Sequence, residues 1–441
     1  MQKVDLAIRA RWVIPVEPPG LALEDHAIVV NQGRIVACLP SDTLPWQFEP
    51  AQVIDRPEHV VLPGLVNAHT HAAATLLRGV ADDLPLDRWL RDAIWPLEKR
   101  WVDPEFVRDG SELAIAAMLA SGTTCFADMY LFPEMTAAAA SRMHIRACIG
   151  LPVVDAPTAW AGSSDEYIAK GLALHDEYRD DPLVTTAFAP HAPYTVSDAT
   201  LIRVRRAADE LDMPVTMHLH ESEREIADSL ERHGVRPLAR LERLGLANPL
   251  LCGIHMTRLD ETDLELIERR SVQVVHCPQS NLKLGNGIAP VPGLLERGIN
   301  VAIGTDGPAS NNDLDMIEEL RLATLLARST GADQKVLDAH RALRLATLNG
   351  AQALGLAESI GSIQPGKWAD LLCVDLGGVQ TQPVHEPASA LVFAASRSEV
   401  SDVWVAGRAV VADHRLLRGD LADILERASA WAARIRETDR R

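Results

Sequence analysis

Two histidines end the apolar segment Pro63-Gly64-Leu65-Val66-Asn67-Ala68-His69-Thr70-His71. In a β-strand, side chains two residues apart point to the same face of the sheet. His69 and His71 can therefore hold one metal ion between their imidazoles. A single His-x-His pair is unremarkable in a chain with 15 histidines, so a metal site requires further ligands from elsewhere in the chain.

Ionisable side chains also follow later apolar segments of the chain. They are His191, then His218, His220 and Glu221 together, then His255, His276 and Asp306. The second segment is followed by Asp128, which we leave without a role, and the third has no histidine after it. Isolated buried histidines would not recur at strand ends in this way, so the pattern indicates a shared site.

Eight short apolar segments separated by helical patterns must position these residues. They span residues 60–66, 123–127, 145–151, 183–188, 215–219, 250–254, 272–275 and 301–303. Near-continuous apolar strands alternating with helices are typical of a parallel sheet covered on both faces. We predict an α/β fold, a closed (β/α)8 TIM-type barrel, whose active site lies at the carboxyl ends of its strands. An open doubly wound sheet is the alternative.

The two ends of the chain share a different, β-rich pattern. Asn31-Gln32-Gly33 and Ala406-Gly407-Arg408 each separate two short apolar strands and predict hairpins. A helix is predicted over residues 420–436. We expect residues 1–60 and 362–441 to form a small β-sandwich domain with this C-terminal helix, and residues 61–361 to form the barrel.

Composition excludes several classes of partner. The 441 residues carry a formal net charge of -18, which disfavours binding to nucleic acid or to an anionic membrane. The six cysteines are far apart and form no Cys-x-x-Cys pair, so we expect reduced core thiols rather than a thiolate zinc site. The chain has no signal-peptide core and no apolar stretch long enough to span a bilayer. We expect a cytoplasmic protein.

Five motifs, in this order, resemble the amidohydrolase superfamily. They are Pro-Gly-Leu-Val-Asn-Ala-His-Thr-His, His-Leu-His-Glu, Gly-Ile-His-Met, His-Cys-Pro-Gln-Ser-Asn-Leu-Lys-Leu-Gly and Gly-Thr-Asp-Gly. The branch is similar to the deaminases of 5′-methylthioadenosine and S-adenosylhomocysteine, which are related to guanine and cytosine deaminases and to triazine hydrolases. The resemblance covers nearly the whole chain, including the β-rich ends.

The resemblance implies a metal site made of His69, His71, His218 and Asp306. Three imidazoles and a carboxylate suit one Zn²⁺, although iron, manganese or nickel would accept the same ligands. Binuclear members of the superfamily have a bridging lysine after the fourth strand, and residues 183–192 contain none. We therefore expect one ion, which lowers the pKa of water from about 15.7 to near 7.

The resemblance also implies a hydrolytic deamination. Hydroxide attacks the ring carbon that bears the amine, Glu221 protonates the adjacent ring nitrogen, and Asp306 accepts the proton of the water. His255 stabilises charge on the nucleophile. From the residues alone, Glu221 could instead be an exposed acid at a helix start, and His255 a core histidine. We expect His220 to be structural and His276 to touch substrate or to hydrogen-bond the loop 280–283.

The implied substrate is an aminated purine nucleoside. Glu98 matches a carboxylate that binds the ribose 2′- and 3′-hydroxyls, Trp89 provides an apolar wall, His191 contacts the nucleoside, and Ser310 lies near the metal-bound carboxylate. Packing of Trp89 and Trp95 in a helix, with Glu98 solvated, is the alternative for this segment. Residues 151–164 lack the arginine with which relatives bind the S-adenosylhomocysteine carboxylate. Because a buried carboxylate without a cation is costly, we predict a preference for 5′-methylthioadenosine, with S-adenosylhomocysteine and adenosine as weaker substrates.

Two other functions are consistent with parts of the sequence. One is a triazine or free-nucleobase hydrolase on the same barrel, which would not need Glu98. The other is a non-catalytic metal-binding barrel, which would not need to keep the ligands together with Glu221 and His255. Relatives often form dimers or tetramers, so a homo-oligomer is also expected.

Overall fold

A computed structural model describes residues 1–331, 333 and 335–439 of the chain, and the strands of that part form two separate sheets. The strands are β1 (Gln2–Val13), β2 (Leu23–Asn31), β3 (Arg34–Pro40), β4 (Phe48–Pro63), β5 (Leu65–Thr70), β6 (Thr123–Asp128), β7 (Arg146–Val153), β8 (Val184–Pro190), β9 (Val215–Leu219), β10 (Leu251–His255), β11 (Gln273–His276), β12 (Val301–Ile303), β13 (Leu371–Asp375), β14 (Val400–Val405), β15 (Arg408–Ala412) and β16 (Arg415–Leu416).

Helices lie between the barrel strands and in the segments before and after the barrel. They are α1 (Leu44–Gln47), α2 (Leu86–Arg88), α3 (Trp95–Trp101), α4 (Pro104–Ala120), α5 (Pro133–Met143), α6 (Ser164–Tyr178), α7 (Asp198–Leu211), α8 (Glu223–His233), α9 (Pro237–Arg243), α10 (Glu261–Arg270), α11 (Pro278–Lys283), α12 (Val291–Glu296), α13 (Met316–Thr330), α14 (Ala339–Leu345), α15 (Leu348–Ala353), α16 (Pro387–Phe393) and α17 (Leu421–Asp439). Ala72–Leu77 and Arg397–Glu399 are short 3₁₀ turns, and Trp89–Ile94 is a π-helical turn.

The eight strands β5 to β12 form one parallel sheet in sequence order, which confirms the predicted barrel. Nearly all of their residues are buried, because neighbouring strands, the barrel interior and the outer helices cover both faces. Since all eight strands run the same way, their carboxyl ends meet at one end of the barrel. This geometry brings together residues that are far apart in the chain.

The first and last barrel strands meet through hydrogen bonds between β5 and the segment after β12. The Asp306 backbone N–H donates to the carbonyl oxygen of His69 at 3.0 Å. The Asn67 side chain accepts from the Thr305 backbone N–H at 3.0 Å and donates to the Thr305 hydroxyl at 2.8 Å. These contacts place Asp306 beside the histidines of β5.

The predicted first barrel strand at residues 60–66 is placed too early. Residues 60–63 end β4, which belongs to the other sheet, and the barrel begins with β5. Gly64 separates the two strands, and a Cβ atom there would lie 2.1 Å from the Thr124 hydroxyl oxygen. Residues 60–66 are apolar and buried in both sheets, so their hydropathy does not reveal where one strand ends and the next begins.

The two ends of the chain form a mixed eight-stranded sheet in the order β16-β15-β14-β13-β4-β1-β2-β3. Both predicted hairpins are present, with positive φ at Gln32 and Gly33 and at Ala406 and Gly407. The two turns touch, because a Cβ atom on Gly407 would lie 2.7 Å from the Cα of Gly33. The sheet therefore curves enough to bring the turn between β2 and β3 against the turn between β14 and β15.

The predicted C-terminal helix is α17, whose Trp431 donates its indole N–H to Asp109 of α4 at 2.9 Å. The domain boundaries at residues 60/61 and 361/362 stay predictions. None of the helices in the described part of the chain combines the length and the apolar character needed to span a lipid bilayer.

A histidine and carboxylate site at the carboxyl end of the barrel

Three imidazoles and one carboxylate converge at the carboxyl ends of the barrel strands. His69 lies in β5 with His71 just beyond it, His218 lies in β9, and Asp306 follows β12. One ligand atom from each residue can be chosen so that all four lie within 4.8 Å of one another. The structure therefore brings together the four residues predicted as metal ligands.

The separations within this cluster fit a single ion. His218 Nε2 lies 3.2 Å from His69 Nε2 and 3.3 Å from His71 Nε2. Asp306 Oδ1 lies 3.4 Å from His69 Nε2 and 3.2 Å from His71 Nε2. Four atoms about 2.0 Å from one tetrahedral ion are about 3.3 Å apart, the spacing that zinc ligands adopt. The donor set thus matches zinc in both chemistry and size.

Backbone carbonyls orient two of these imidazoles. His71 Nδ1 lies 2.5 Å from the carbonyl oxygen of Met129, and His218 Nδ1 lies 2.8 Å from that of His191. A carbonyl only accepts, so each Nδ1 carries a hydrogen and Nε2 is the nitrogen that faces the cluster. Both rings are therefore oriented to bind a metal ion through Nε2.

Two glycines allow the segment after β12 to approach the histidines. A Cβ atom on Gly304 would lie 2.8 Å from the backbone nitrogen of His69, and one on Gly307 would lie 2.9 Å from the Cβ of His71. Any larger residue at either position would push Asp306 away from the imidazoles. The Gly-Thr-Asp-Gly motif is thus a packing requirement of the site.

Hydrogen bonds fix both oxygens of Asp306. The hydroxyls of Ser280 and Ser310 donate to Oδ2 at 2.6 and 2.7 Å, and the Gly307 N–H donates to Oδ1 at 2.8 Å. Asp306 itself has a φ of 61°, a left-handed conformation that is uncommon outside glycine. Ser310 therefore contacts the carboxylate, as expected. The contact of Ser280 with Asp306 was not predicted from the sequence.

Burial and the charge of Asp306 shift the pKa values of the cluster in different directions. Burial lowers the pKa of His69 to about 4 and holds that of His218 well below its ordinary range. Burial also lowers the pKa of His71, but the hydrogen bond and charge of Asp306 outweigh this effect and raise it to about 9. The histidines in turn hold the pKa of Asp306 well below its usual range, against the effect of burial. Asp306 is therefore an anion that requires a positive charge among the imidazoles.

Glu221 and His255 lie side by side next to the cluster. The Glu221 Oε1 atom is 3.6 Å from His255 Nε2 and accepts a hydrogen bond from Asn286 Nδ2 at 2.9 Å. The His255 ring stacks on that of His218, with centroids 5.5 Å apart. Glu221 is buried, so it is not the exposed helix-start acid of the alternative interpretation. Burial raises its pKa, and the charge of His255 partly offsets the rise.

His255 reaches the site through an irregular strand end. Cys252 and Ile254 of β10 belong to one buried cluster, so strict alternation would turn His255 to the opposite face. A φ of 74° at His255 and of 50° at Met256 breaks that alternation. His255 Nδ1 then lies 2.8 Å from Asn281 Oδ1, a contact that the sequence analysis did not anticipate.

A second buried glutamate holds the backbone around Glu221. The Glu225 carboxylate accepts from the backbone N–H of His220 at 2.9 Å and from that of Glu221 at 2.8 Å. Ser222 caps the start of α8 and accepts from the Glu225 N–H. This arrangement fixes the turn that carries Glu221 and is another feature that the sequence analysis missed.

His191 faces the cluster from the end of β8. Its ring centroid is 4.9 Å from that of His218, and its Nδ1 lies 3.2 Å from the Thr195 hydroxyl oxygen. Burial, with the nearby histidines, lowers the pKa of His191 to about 4. His191 is thus a neutral imidazole beside the metal ligands, consistent with its predicted place near the substrate.

The segment of residues 78–101, here called the lid segment, carries the predicted substrate residues Trp89 and Glu98. Tyr130 donates its hydroxyl to Glu98 Oε1 at 2.8 Å, and its ring lies 6.3 Å from that of His71. Glu98 is therefore tied to the site and is not a freely solvated acid. Trp89 is buried, and its indole N–H has no hydrogen-bond partner among the described residues.

Two ion pairs connect the lid segment to α11 and α8. Lys283 Nζ lies 2.8 Å from Asp82 Oδ1 and donates to Asn312 Oδ1 at 2.5 Å. Arg224 lies 2.9 Å from Asp87. Both contacts join the lid segment to helices that follow barrel strands, α11 after β11 and α8 after β9, so they hold it across the carboxyl end of the barrel.

Three further ionisable residues have different surroundings. His220 accepts from the Leu238 backbone N–H at 3.0 Å, and its Nδ1 lies 3.1 Å from the Arg258 carbonyl oxygen, which fits the structural role expected of it. His276 is buried, and neither ring nitrogen has a partner among the described residues, so the suggested hydrogen bond to the loop 280–283 is not formed. Asp128 accepts from the Ala72 N–H at 2.7 Å.

Comparison with known proteins finds relatives along the whole chain. The amidohydrolase family model matches residues 60–410. A protein of Teredinibacter turnerae named 5-methylthioadenosine/S-adenosylhomocysteine deaminase is 46% identical over 432 residues, which are 98% of each chain. A 5′-deoxyadenosine deaminase of Methanopyrus kandleri is 40% identical over 95% of this chain and 96% of its own.

One solved structure is similar to this chain in both fold and sequence. The crystal structure of an adenosine deaminase from Xanthomonas campestris with bound zinc is 52% identical, with a TM-score of 0.98 over 99% of both chains. The similarity thus includes both the barrel and the small sheet built from the two ends.

Proposed function

This chain belongs to the amidohydrolase family, and we propose that it hydrolyses the 6-amino group of an adenine nucleoside and releases ammonia. The preferred substrate is 5′-methylthioadenosine, which becomes 5′-methylthioinosine. S-adenosylhomocysteine and adenosine are weaker substrates. The observation that carries the proposal is the grouping of three imidazoles and Asp306 within 4.8 Å, with a buried Glu221 beside them.

His69, His71, His218 and Asp306 would hold one zinc ion, and iron, manganese or nickel would fit the same donors. When bound, such an ion supplies hydroxide at neutral pH by lowering the pKa of water. The remaining chemistry belongs to side chains of this protein. A second ion is not expected, because no lysine follows β8 in residues 183–192.

Glu221 is the proton donor for the ring nitrogen next to the reacting carbon. Its burial raises its pKa, so it carries a proton more readily than an exposed glutamate. Without that proton, attack on the ring would leave an anion on the nitrogen. The Asn286 amide fixes one oxygen of Glu221, which leaves the other free to face the base.

Asp306 and His255 act on the attacking water. Asp306, ionised at neutral pH, accepts a proton from that water. His255 lies against the His218 ring and 3.6 Å from Glu221, where it stabilises negative charge on the nucleophile. The proton held by Asp306 then passes to the leaving amine, the C–N bond breaks to release ammonia, and the hydroxyl proton of the attacked carbon returns to Glu221 as the carbonyl forms.

Four side chains account for nucleoside recognition. Glu98 accepts hydrogen bonds from the ribose 2′- and 3′-hydroxyls, because one carboxylate can accept from both. His191 contacts the purine nucleoside, Trp89 forms an apolar wall, and Ser310 lies beside Asp306. The names of the relatives reported above support an adenine nucleoside over a free base or a triazine.

The methylthio preference follows from the segment after β7. Residues 151–164 contain no arginine. Lys170 contacts this segment at the Trp160 carbonyl oxygen, but its charge is paired with Glu166 at 2.8 Å. A neutral methylthio group needs no cation, whereas an amino-acid carboxylate does.

The proposed ligand is a small-molecule nucleoside. The proposed assembly is a homo-oligomer, either a dimer or a tetramer. Cytoplasmic location belongs to the same proposal, since five of the six free cysteines are buried.

An ammonia-release panel with metal analysis tests the proposal. Zinc-loaded protein is assayed with 5′-methylthioadenosine, adenosine, guanine, cytosine and a chlorotriazine. We expect turnover of the adenine nucleosides, its loss on chelation and its return with zinc. Turnover of a free base or triazine that survives Glu98→Ala would favour the alternative hydrolase, and bound zinc without turnover of any compound would favour the non-catalytic barrel.

A further inference from the structure

Tyr130 connects the metal-ligand cluster to the lid segment. It follows β6 by two residues and is 8% exposed. Its ring lies against His71, with centroids 6.3 Å apart and planes tilted by 54°, while its hydroxyl donates to Glu98 Oε1 at 2.8 Å. One rigid side chain therefore spans from a ligand ring of the barrel to a carboxylate on α3.

The polarity of this hydrogen bond is fixed. A carboxylate oxygen has no hydrogen to give, so the phenol O–H is the donor. Burial raises the pKa of Glu98, but the Tyr130 hydrogen bond works against that rise and favours the carboxylate. Tyr130 therefore donates and Glu98 accepts.

The bond leaves half of the carboxylate available. Tyr130 is the only side chain that hydrogen-bonds the Glu98 carboxylate within the described ranges. Oε1 is occupied by the phenol, so Oε2 presents the more open lone pairs to a ligand. Since α3 contributes no other polar contact to this carboxylate in the described part of the chain, the phenol fixes its position over the site.

We propose that Tyr130 is a positioning residue for ribose specificity, because it holds the Glu98 carboxylate where the 2′- and 3′-hydroxyls of the nucleoside meet it. The inference rests on the proposed deaminase function and extends it to a residue that touches no substrate. Loss of the phenol hydroxyl should weaken binding of ribose and leave the chemistry at the purine ring intact.

The test compares two substrates that differ by one hydroxyl, 5′-methylthioadenosine and its 2′-deoxy counterpart. Tyr130→Phe keeps the ring against His71 and removes only the O–H donor. We expect KM for the ribose substrate to rise about tenfold, the usual size for a hydrogen bond to a charged group. Its kcat should stay within about twofold, and KM for the 2′-deoxy substrate, which keeps only the 3′-hydroxyl contact to Glu98, should rise clearly less.

Control variants separate positioning from a general structural effect. Tyr178→Phe, on α6, should change neither KM nor kcat for either substrate. Glu98→Gln should reduce the selectivity for ribose, and Tyr130→Phe in that background should cost little more, because the two residues act as a pair. If Tyr130→Phe does not fold, Glu98→Gln alone still tests the contact that Tyr130 is said to hold.

Two results would overturn the inference: equal KM increases for both substrates with Tyr130→Phe, or equal losses for both with Glu98→Gln. Either result would mean that Tyr130 and Glu98 stabilise the lid segment and do not determine the specificity for ribose. Failure of the proposed function would look different, since the unmodified protein would then deaminate neither nucleoside.

Discussion

Asn286 donates its side-chain amide to Glu221 Oε1 at 2.9 Å, the same oxygen that lies 3.6 Å from His255 Nε2. The amide stabilises the ionised form of Glu221 and so lowers its pKa, against the larger effect of burial. Asn286 also accepts from the Thr257 hydroxyl through its own backbone carbonyl, so its position does not depend on Glu221.

Asn286→Ala should therefore raise the pKa of Glu221 and reduce kcat by about tenfold, with little change in KM. The limb of the pH profile that Glu221 controls should move to higher pH. Steady-state kinetics from pH 5 to 9, with zinc content measured on the same samples, check both effects. A loss of bound zinc in this variant would mean that Asn286 serves the metal cluster and not the proton donor.

Removal of a ligand should abolish both metal and activity. His218→Ala and Asp306→Asn each take one donor from the cluster, and we expect bound zinc to fall below one ion per chain and kcat/KM to drop by at least about 100-fold. His385→Ala, at an exposed histidine, is the matched control and should keep both. Metal analysis by emission spectroscopy, together with the ammonia assay, measures both effects. Full activity in metal-free protein would contradict the prediction.

The charge of the 5′ substituent should decide which nucleoside has the higher kcat/KM. We expect kcat/KM for 5′-methylthioadenosine to exceed that for S-adenosylhomocysteine by about tenfold or more, since the segment after β7 has no arginine for the carboxylate. A neutral 5′-deoxyadenosine should behave like the methylthio compound. Equal or better kcat/KM for S-adenosylhomocysteine would show that another cation reaches the carboxylate.

The Lys283–Asp82 contact should hold the lid segment closed. Lys283→Met removes the ammonium that bridges Asp82 and Asn312 while keeping a long apolar stem. We expect KM to rise about three- to tenfold and proteolysis within residues 78–101 to become faster. Lys335→Met, at an exposed lysine, is the control. Unchanged KM and unchanged cleavage would mean that this ion pair contributes nothing, as is common for exposed pairs.

Stability should depend on pH through Glu225. Burial raises its pKa from 4.5 to about 8, so between those values the folded protein holds a proton that the unfolded chain has lost. The free energy of unfolding therefore falls as pH rises from about 4.5 to 8. Calorimetry should show the Tm advantage of the unmodified protein over Glu225→Gln shrinking across that range. Glu223→Gln, exposed on the same helix, should leave the slope unchanged, and a constant Tm gap for Glu225→Gln would contradict the assignment.

Sequence patterns predicted the barrel, and the resemblance of the motifs predicted the four residues that the structure groups as a candidate metal site. A barrel strand is apolar along its length and ends in a polar residue at the site, so His218 and Asp306 stand out where they occur. The hairpins at Gln32-Gly33 and Ala406-Gly407 were also predictable, because positive φ at two adjacent positions restricts the residue types. These features depend on local rules that can be read along the chain.

The start of the barrel was not predictable in the same way. Residues 60–66 form one apolar stretch, yet Gly64 divides it between two sheets because Thr124 leaves no room for a Cβ atom. The irregular end of β10 is a second example, since strand alternation alone would turn His255 away from the site. Both depend on neighbours distant in sequence.

The sequence by itself predicted the barrel, because strand periodicity is local and restrictive, and its motifs, through their resemblance to a known family, predicted which residues would bind a metal ion. Only the tertiary structure decided which polar groups hold those residues in place: Asn286 on Glu221, Asn281 on His255, Ser280 on Asp306 and Tyr130 on Glu98. Amides and hydroxyls occur throughout the chain, and no local pattern distinguishes one that bonds a catalytic group. Their partners are chosen by packing between segments that are far apart in sequence, which sets distances of about 3 Å at which a hydrogen bond forms.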